Sequence, residues 1–254
     1  MRVTRIHFDR PLSAGAIVSL SESAAAHVSR VLRLGPGDEL TLFDGHGGEY
    51  PATIVDARGI VVRVQAGECR TVERESPLSL TLVQGISRGE RMDWVVQKAT
   101  ELGVAELVPV LTERSVVKLN GSQAERKRDH WLGIAIAACE QCGRNRVPRI
   151  HVPVDFGSWL APATDVGQRI LLDASGSNAL NGLRRHQQVM LLIGPEGGLS
   201  NGERDAALAA GFQALRLGPR TLRTETAAVA ALTALQLIAG DLGANPGDGE
   251  LGSD

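Results

Sequence analysis

Gly194-Pro195-Glu196-Gly197-Gly198-Leu199-Ser200 follows an apolar run, Val189 to Ile193, and leads into a helix starting at Asn201, marked by the capping-box spacing of Ser200 and Glu203. A second loop of the same build comes later, Leu217-Gly218-Pro219-Arg220-Thr221-Leu222-Arg223-Thr224-Glu225-Thr226-Ala227, after the run Ala214 to Leu217. Ligands of parallel sheets bind outside the carboxyl ends of the strands. The two loops are therefore expected side by side at one edge of a sheet, with the chemistry between them. Their late position argues against an ordinary dinucleotide-binding fold. No Gly-x-Gly-x-x-Gly is present, and no lysine follows in the pattern of a phosphate-binding loop. The glycines let the backbone turn tightly and approach a ligand closely, so the first loop suits the adenine and ribose of a nucleoside cofactor held by backbone hydrogen bonds. In the second loop, Glu225 is electrostatically favourable at a helix start in any case. Arg223 precedes an apolar helix, where a charge needs a partner or a ligand.

Upstream, from Leu78, strands and helices alternate. Strands are expected at Leu78 to Val83, Ala105 to Val110 and Arg169 to Leu172, and helices at Arg91 to Leu102 and Gln123 to Cys142. This is the α/β pattern of a mostly parallel sheet covered on both faces. The last helix, Thr224 to Ala239, is almost wholly apolar and is expected to be buried nearly all round, inside the domain or against a second subunit.

The first seventy or so residues differ, reading as short strands and turns. Glu39 to Phe43, Glu49 to Val55 and Ile60 to Gln65 are rich in β-branched residues and separated by glycine-containing turns. One helix interrupts them, Ser21 to Leu32, with Ala24, Val28, Val31 and Leu32 at helical spacing. This pattern suggests a small β-barrel. The linker falls in the polar stretch Thr71 to Pro77, and the Gly- and acid-rich end of the chain is expected to be disordered.

Bulk composition limits the function classes. Hydrophobic residues make up 43% and charged residues 22% of 254, as in a folded globular protein. No stretch approaches the roughly 20 apolar residues of a membrane helix, and no membrane is expected as a partner. Three cysteines provide no disulfide framework, which fits a reducing cytoplasm. Cys139 and Cys142 form a C-x-x-C, but one pair supplies two metal ligands and Cys69 lies in the other domain, so no metal is expected. The net charge of −2 predicts no strong non-specific grip on nucleic acid. It leaves room for local basic patches at Arg2/Arg5/Arg10, Arg30/Arg33, Arg126/Lys127/Arg128 and Arg144/Arg146/Arg149.

These segments together resemble the RsmE family of the SPOUT superfamily, 16S ribosomal RNA (uracil-N3)-methyltransferases. The resemblance runs over nearly the whole chain: His27-Val28-Ser29-Arg30-Val31-Leu32-Arg33-Leu34 with Gly37-Asp38, then Gln97 to Val104, Glu140-Gln141-Cys142-Gly143-Arg144, Gly194 to Gly198, Leu217-Gly218 and Leu222 to Ala227. It implies a PUA-like RNA-binding β-barrel over 1–72, an α/β SPOUT domain with a deep trefoil knot over 73–242 and a disordered tail over 243–254. It implies S-adenosylmethionine as cofactor, held by Leu172, Gly194, Pro195, Glu196, Gly197, Gly198, Leu217, Gly218, Leu222 and Thr224. The implied partners are a second copy in a homodimer and 16S rRNA of the small ribosomal subunit. RNA contacts are expected from His27, Arg30, Arg33, Arg144 and Arg146. Arg223 is expected to stabilise charge on the target uracil, with Glu225 as base or as the group that orients Arg223. Two other readings stay open: a superfamily member that methylates tRNA or a ribose 2′-hydroxyl, and a non-catalytic RNA-binding or assembly protein.

Overall fold

The computed structural model describes residues 4–58, 61–160, 167–176 and 188–243. The chain divides into two compact units. The first takes in residues up to Glu75 together with Ile136–Val147, and the second Ser76–Ala135 with the residues from Pro148 onward. The segment 136–147, read from sequence as part of the second domain, thus counts with the first unit. Of the tail expected over 243–254, all but Gly243 lies outside the described residues.

The first unit is a small, barrel-like β domain. Its strands are β1 (Arg5–His7), β2 (Ile17–Ser19), β3 (Glu39–Phe43), β4 (Tyr50–Arg58) and β5 (Val61–Ala66), in the order β1-β3-β4-β5-β2. All pairs are antiparallel except β1 with β3. Alternate residues enter one core: Leu40 and Leu42 of β3, Ile54 of β4, Val62 and Val64 of β5, closed by Ile6, Phe8 and Val28. The helix expected over Ser21 to Leu32 is present only in part. After α1 (Glu22–Ala26), capped by Ser21, the chain widens into a π-helical turn over His27–Val31. The wider turn displaces the apolar face, so Val28 is fully buried while Val31 is 68% exposed. Arg33 then adopts φ +57°, the only non-glycine residue among those described with a left-handed backbone.

The second unit is an all-parallel sheet. Its strands are β6 (Ser79–Gly85), β7 (Val104–Leu111), β8 (Arg149–Ile150), β9 (Val154–Asp155), β10 (Gln168–Leu172), β11 (Gln188–Ile193) and β12 (Gln213–Leu215). The order is β12-β10-β11-β6-β7-β8, with β9 continuing beside β7. The helices are α2 (Glu90–Glu101), α3 (Gly121–Cys142, of which the residues from Ile136 on count with the first unit), α4 (Phe156–Trp159), α5 (Asn201–Ala209) and α6 (Thr224–Ala239). The apolar strands read from sequence supply the core, with Val83, Val110, Leu171 and Leu192 packed against Ala207 and Phe212. Two-residue strands such as β8 and β9 carry too little pattern to be found by periodicity. All-round burial of α6 is not met among the described residues. One stripe is buried (Ala228, Ala231, Leu232, Leu235), while Leu237 is 59% exposed.

Candidate active site

Three parallel strands end beside one another in the order β12-β10-β11, and their C-terminal ends enclose a cleft of about 660 Å³. The two glycine-bearing loops follow β11 and β12. The strand between them, β10, provides the floor through Leu171, Leu172, Asp173 and Ala174. The loops therefore share one edge of the sheet, as expected, but β10 separates their strands.

Close packing fixes the first loop. Gly198 N–H donates to Pro195 O at 2.8 Å, and Gly198 has φ +66°, closing a tight turn that needs glycine at that point. A Cβ on Gly85, at the end of β6, would lie 2.5 Å from Pro195 Cδ. Ser200 and Glu203 form a complete capping box at the start of α5. A buried polar chain joins the loops: Gln84 Nε2 donates to Thr224 Oγ1 at 2.9 Å, and Thr224 Oγ1 donates to Gly194 O at 2.7 Å. Thr224 is thus committed to holding the loops together. Its hydroxyl also anchors the start of α6, whose N-terminal residue Arg223 has no side-chain cap.

Five arginines line the cleft, Arg91, Arg204, Arg216, Arg220 and Arg223, against three carboxylates, Asp173, Glu196 and Glu225. Arg204 pairs with Asp173 and Arg91 with Glu196 at 2.8 Å. Burial alone would raise the Asp173 carboxyl, but Arg204 and Ser175 outweigh it and hold it below the usual carboxylate range. Glu196 is held low in the same way, its burial offset chiefly by the Arg88 N–H and then by Arg91. The Glu196 side chain is therefore occupied in docking its loop to the start of α2, which has no side-chain cap of its own. Arg216, Arg220 and Arg223 are exposed, and among the described residues none has a carboxylate at ion-pair distance. Glu225 Oε2 is buried without a hydrogen-bond partner among the described residues.

Of the residues expected to hold a cofactor, all but Gly218 line this cleft; Gly218, at φ +70°, shapes the turn behind it. Arg223 and Glu225 line it too. The sequence reading missed Gln84, Gly85, Arg91, Asp173 and Arg204. Each lies on an element outside the two loops, and only chain folding brings it there.

In the first unit, His27, Arg30 and Arg33 are exposed on and just after the π-helical turn. The second expected RNA patch divides. Arg146 is exposed and pairs with Glu73 at 2.9 Å. Arg144 is 4% exposed and spends its guanidinium on both oxygens of Glu75, which makes it part of the unit's internal framework. Its neighbours extend that framework. Asn145 accepts from Arg5 at 2.5 Å and donates to Val72 O at 2.8 Å, and Arg5 and Arg74 both pair with Glu49. Burial pushes the Cys139 thiol up to about 12, so this buried side chain is a protonated thiol near neutral pH. Among the described residues no cluster of three or more His, Cys, Asp or Glu side chains is placed to hold a metal ion. No helix among them is long and apolar enough to cross a membrane.

Comparison with known proteins finds two family models along the chain. Residues 74–236 match the model of the RNA methyltransferase domain, and residues 20–65 match that of the RNA methyltransferase PUA domain. The chain is 34% identical to ribosomal RNA small subunit methyltransferase E of Buchnera aphidicola subsp. Schizaphis graminum, over 95% of this chain and 98% of that one. It is 30% identical to the Bacillus subtilis protein of the same name, over 88% and 92%. Among solved structures, a ribosomal RNA small subunit methyltransferase E from Neisseria gonorrhoeae bound to S-adenosyl methionine superposes with a TM-score of 0.88 at 36% identity, covering 94% of this chain and 99% of that one. A Legionella pneumophila protein in complex with bound SAM superposes with a TM-score of 0.91 at 41% identity, over 95% and 100%.

Proposed function

The chain belongs to the ribosomal RNA small subunit methyltransferase E family, and on that premise we propose that it transfers a methyl group from S-adenosylmethionine to N3 of one uridine in the decoding region of 16S rRNA. The observation that carries the reading is the cleft itself, where two loops meet over three strand ends and both Arg223 and Glu225 line it.

The lining suits the cofactor. Leu172, Ile193, Leu217 and Leu222 offer apolar surface for an adenine ring, and the backbone of Gly194 to Gly198 offers hydrogen-bonding groups. A volume of about 660 Å³ is within the usual range for a small-molecule site. S-adenosylmethionine supplies an electrophilic methyl group on a sulfonium, and the chain's own residues supply position and field.

N3 lies on the Watson–Crick edge of uracil, so the base must be unpaired or flipped before it is reached. N3 also carries a proton and is a poor nucleophile until that proton leaves. As it leaves, negative charge grows on O2 and O4, and we assign the stabilising donor to the Arg223 guanidinium, at the start of α6. Glu225, with an oxygen free of hydrogen-bond partners among the described residues, accepts the proton or orients Arg223. His27, Arg30, Arg33 and Arg146 are the RNA contacts on this reading. Phosphate contacts of that kind make affinity fall with salt.

Three structural readings accompany this one. The SPOUT domain is threaded into a deep trefoil knot, supported by the non-consecutive strand order around the late loops. The protein is a homodimer, supported by the exposure of Leu237 on the otherwise apolar α6. The first unit binds RNA as a PUA-like domain. Mass mapping of 16S rRNA from a strain lacking the gene tests the function directly: one uridine in the decoding region should lose a methyl group at N3. Loss from a tRNA, or from a ribose 2′-hydroxyl, would overturn the assignment.

A further inference from the structure

Arg91 stands in the first turn of α2, where the positive end of the helix dipole disfavours a cation. Its side chain accounts for the placement. Nη1 donates to Glu196 Oε1 at 2.8 Å, and Nε lies 4.0 Å from Glu225 Oε1. A single arginine, from neither loop, thus faces one carboxylate of each loop. The two carboxylates are served differently. Glu196 Oε1 has a second donor, the Arg88 N–H at 3.0 Å. Glu225 has no ion-pair partner other than Arg91 among the described residues, and its Oε2 is buried without any hydrogen bond. A buried carboxylate oxygen without a donor is costly, so the Arg91 charge is what the described residues offer to steady this carboxylate.

We propose that Arg91 is a positioning residue for Glu225: its ion pair with Oε1, at 4.0 Å, orients the carboxylate that receives the N–H of the bound substrate. The inference rests on the methyl-transfer reading, under which that donor is the imide N3–H. The proton passes to Glu225, the N3 electron pair forms the bond to the incoming methyl carbon, and the pair of the breaking carbon–sulfur bond stays on sulfur, giving a neutral thioether. Arg91 makes no contact with the reacting atoms. It sets the direction of the carboxylate and balances its charge. Because it also holds Glu196, it links the geometry of the cofactor loop to that of the proton acceptor.

The competing role is purely architectural, with Arg91 only docking the first loop to α2 through Glu196. Mutant cycles separate the two. Methyl transfer to unmodified small-subunit RNA is measured for Arg91→Ala, Arg91→Lys, Glu225→Gln and Glu196→Gln and for the Arg91→Ala doubles. Binding of S-adenosylmethionine is followed by calorimetry and folding by thermal melts. Arg91→Ala is expected to lower kcat by about tenfold or more, with RNA KM and cofactor Kd within about twofold, and Arg91→Lys to recover part of the loss. Added to Glu225→Gln it should cost little further rate, whereas on the Glu196→Gln background Arg91→Ala should still remove a large part of the kcat that it removes alone. The proposal is overturned if kcat is unchanged, if the coupling is to Glu196 alone with a matching loss of cofactor affinity, or if lysine restores nothing. A folded wild-type chain that binds the cofactor yet methylates no RNA would instead remove the function on which it rests.

Discussion

At the scale of single residues, the cleft depends on atoms that sit very close together. Gly85 ends β6 where any side chain would run into Pro195, because a Cβ there would lie 2.5 Å from both its backbone nitrogen and its Cδ. Neither group is a flexible side-chain tip, so the first loop must move. Gly85→Ala is expected to weaken cofactor binding at least tenfold in calorimetry while the circular dichroism of the fold is retained; unchanged affinity would show that the loop has slack. Arg223 makes a different kind of contribution, through charge rather than shape. Exposed at the start of α6 with no carboxylate partner among the described residues, it is not needed to satisfy the fold. Arg223→Ala should therefore leave the melting temperature nearly unchanged and lower methyl transfer at saturating cofactor by about 100-fold, the usual loss for an oxyanion donor. Near wild-type transfer would end its assigned role.

At the scale of elements, several ends are stabilised by groups from elsewhere in the chain. Helix α5 follows its own sequence signal, the Ser200–Glu203 capping box, and Glu203 also accepts the N–H of Glu113 at 2.8 Å. Helix α2 has no such signal and takes the Glu196 carboxylate at its start. The π-helical turn after α1 shows the opposite balance, since it is followed by strain. A left-handed backbone at a residue bearing a Cβ costs roughly 1–2 kcal/mol, and Arg33 holds it at φ +57°. If Arg33 is kept there for an RNA phosphate, Arg33→Gly should separate the two effects. Thermal stability should stay level or rise. RNA affinity should fall, with the slope of log affinity against log salt reduced by about one. A lower melting temperature would contradict the strain, and an unchanged salt slope would contradict the contact.

Across the whole molecule, the first unit is built around buried charge. Glu49 serves Arg5 and Arg74, and Glu75 serves Arg144. Glu49 is desolvated, yet its arginines hold its carboxyl below the usual range, so its contribution is present above the ordinary glutamate value and lost as pH falls through its lower folded value. Glu140 runs the other way. Burial raises its pKa, and the His7 N–H with the nearby His27 and Arg5 charges only partly offsets that. Its folded pKa exceeds its unfolded one, so stability is lost as pH rises through the folded value. Glutamine keeps an oxygen for the His7 N–H, which is 2.9 Å from the carboxylate, and removes the charge. Glu140→Gln should raise the melting temperature at pH 7 to 8. The gain should vanish below about pH 4.3, the ordinary glutamate value. Melts across that range check the sign, and a gain persisting in acid would contradict it.

Local chemistry was legible in the sequence wherever it repeats along the chain. The apolar runs of β6, β7, β10 and β11, the span of α6, the capping box of α5 and both loops of the cleft follow from periodicity and turn residues, because those signals act between near neighbours. Arg223 and Glu225 were identifiable for the same reason, being adjacent to a helix start. The tertiary structure alone decided what contacts them. Strand β10 separates the two loop-bearing strands, Gln84 and Thr224 tie the loops together, and Arg91 reaches both from α2. It also decided that Arg144 is internal and Arg146 is not, although the two are almost adjacent in sequence. Such outcomes depend on which distant carboxylate or carbonyl the fold delivers to a given side chain, and spacing along the chain does not encode that meeting.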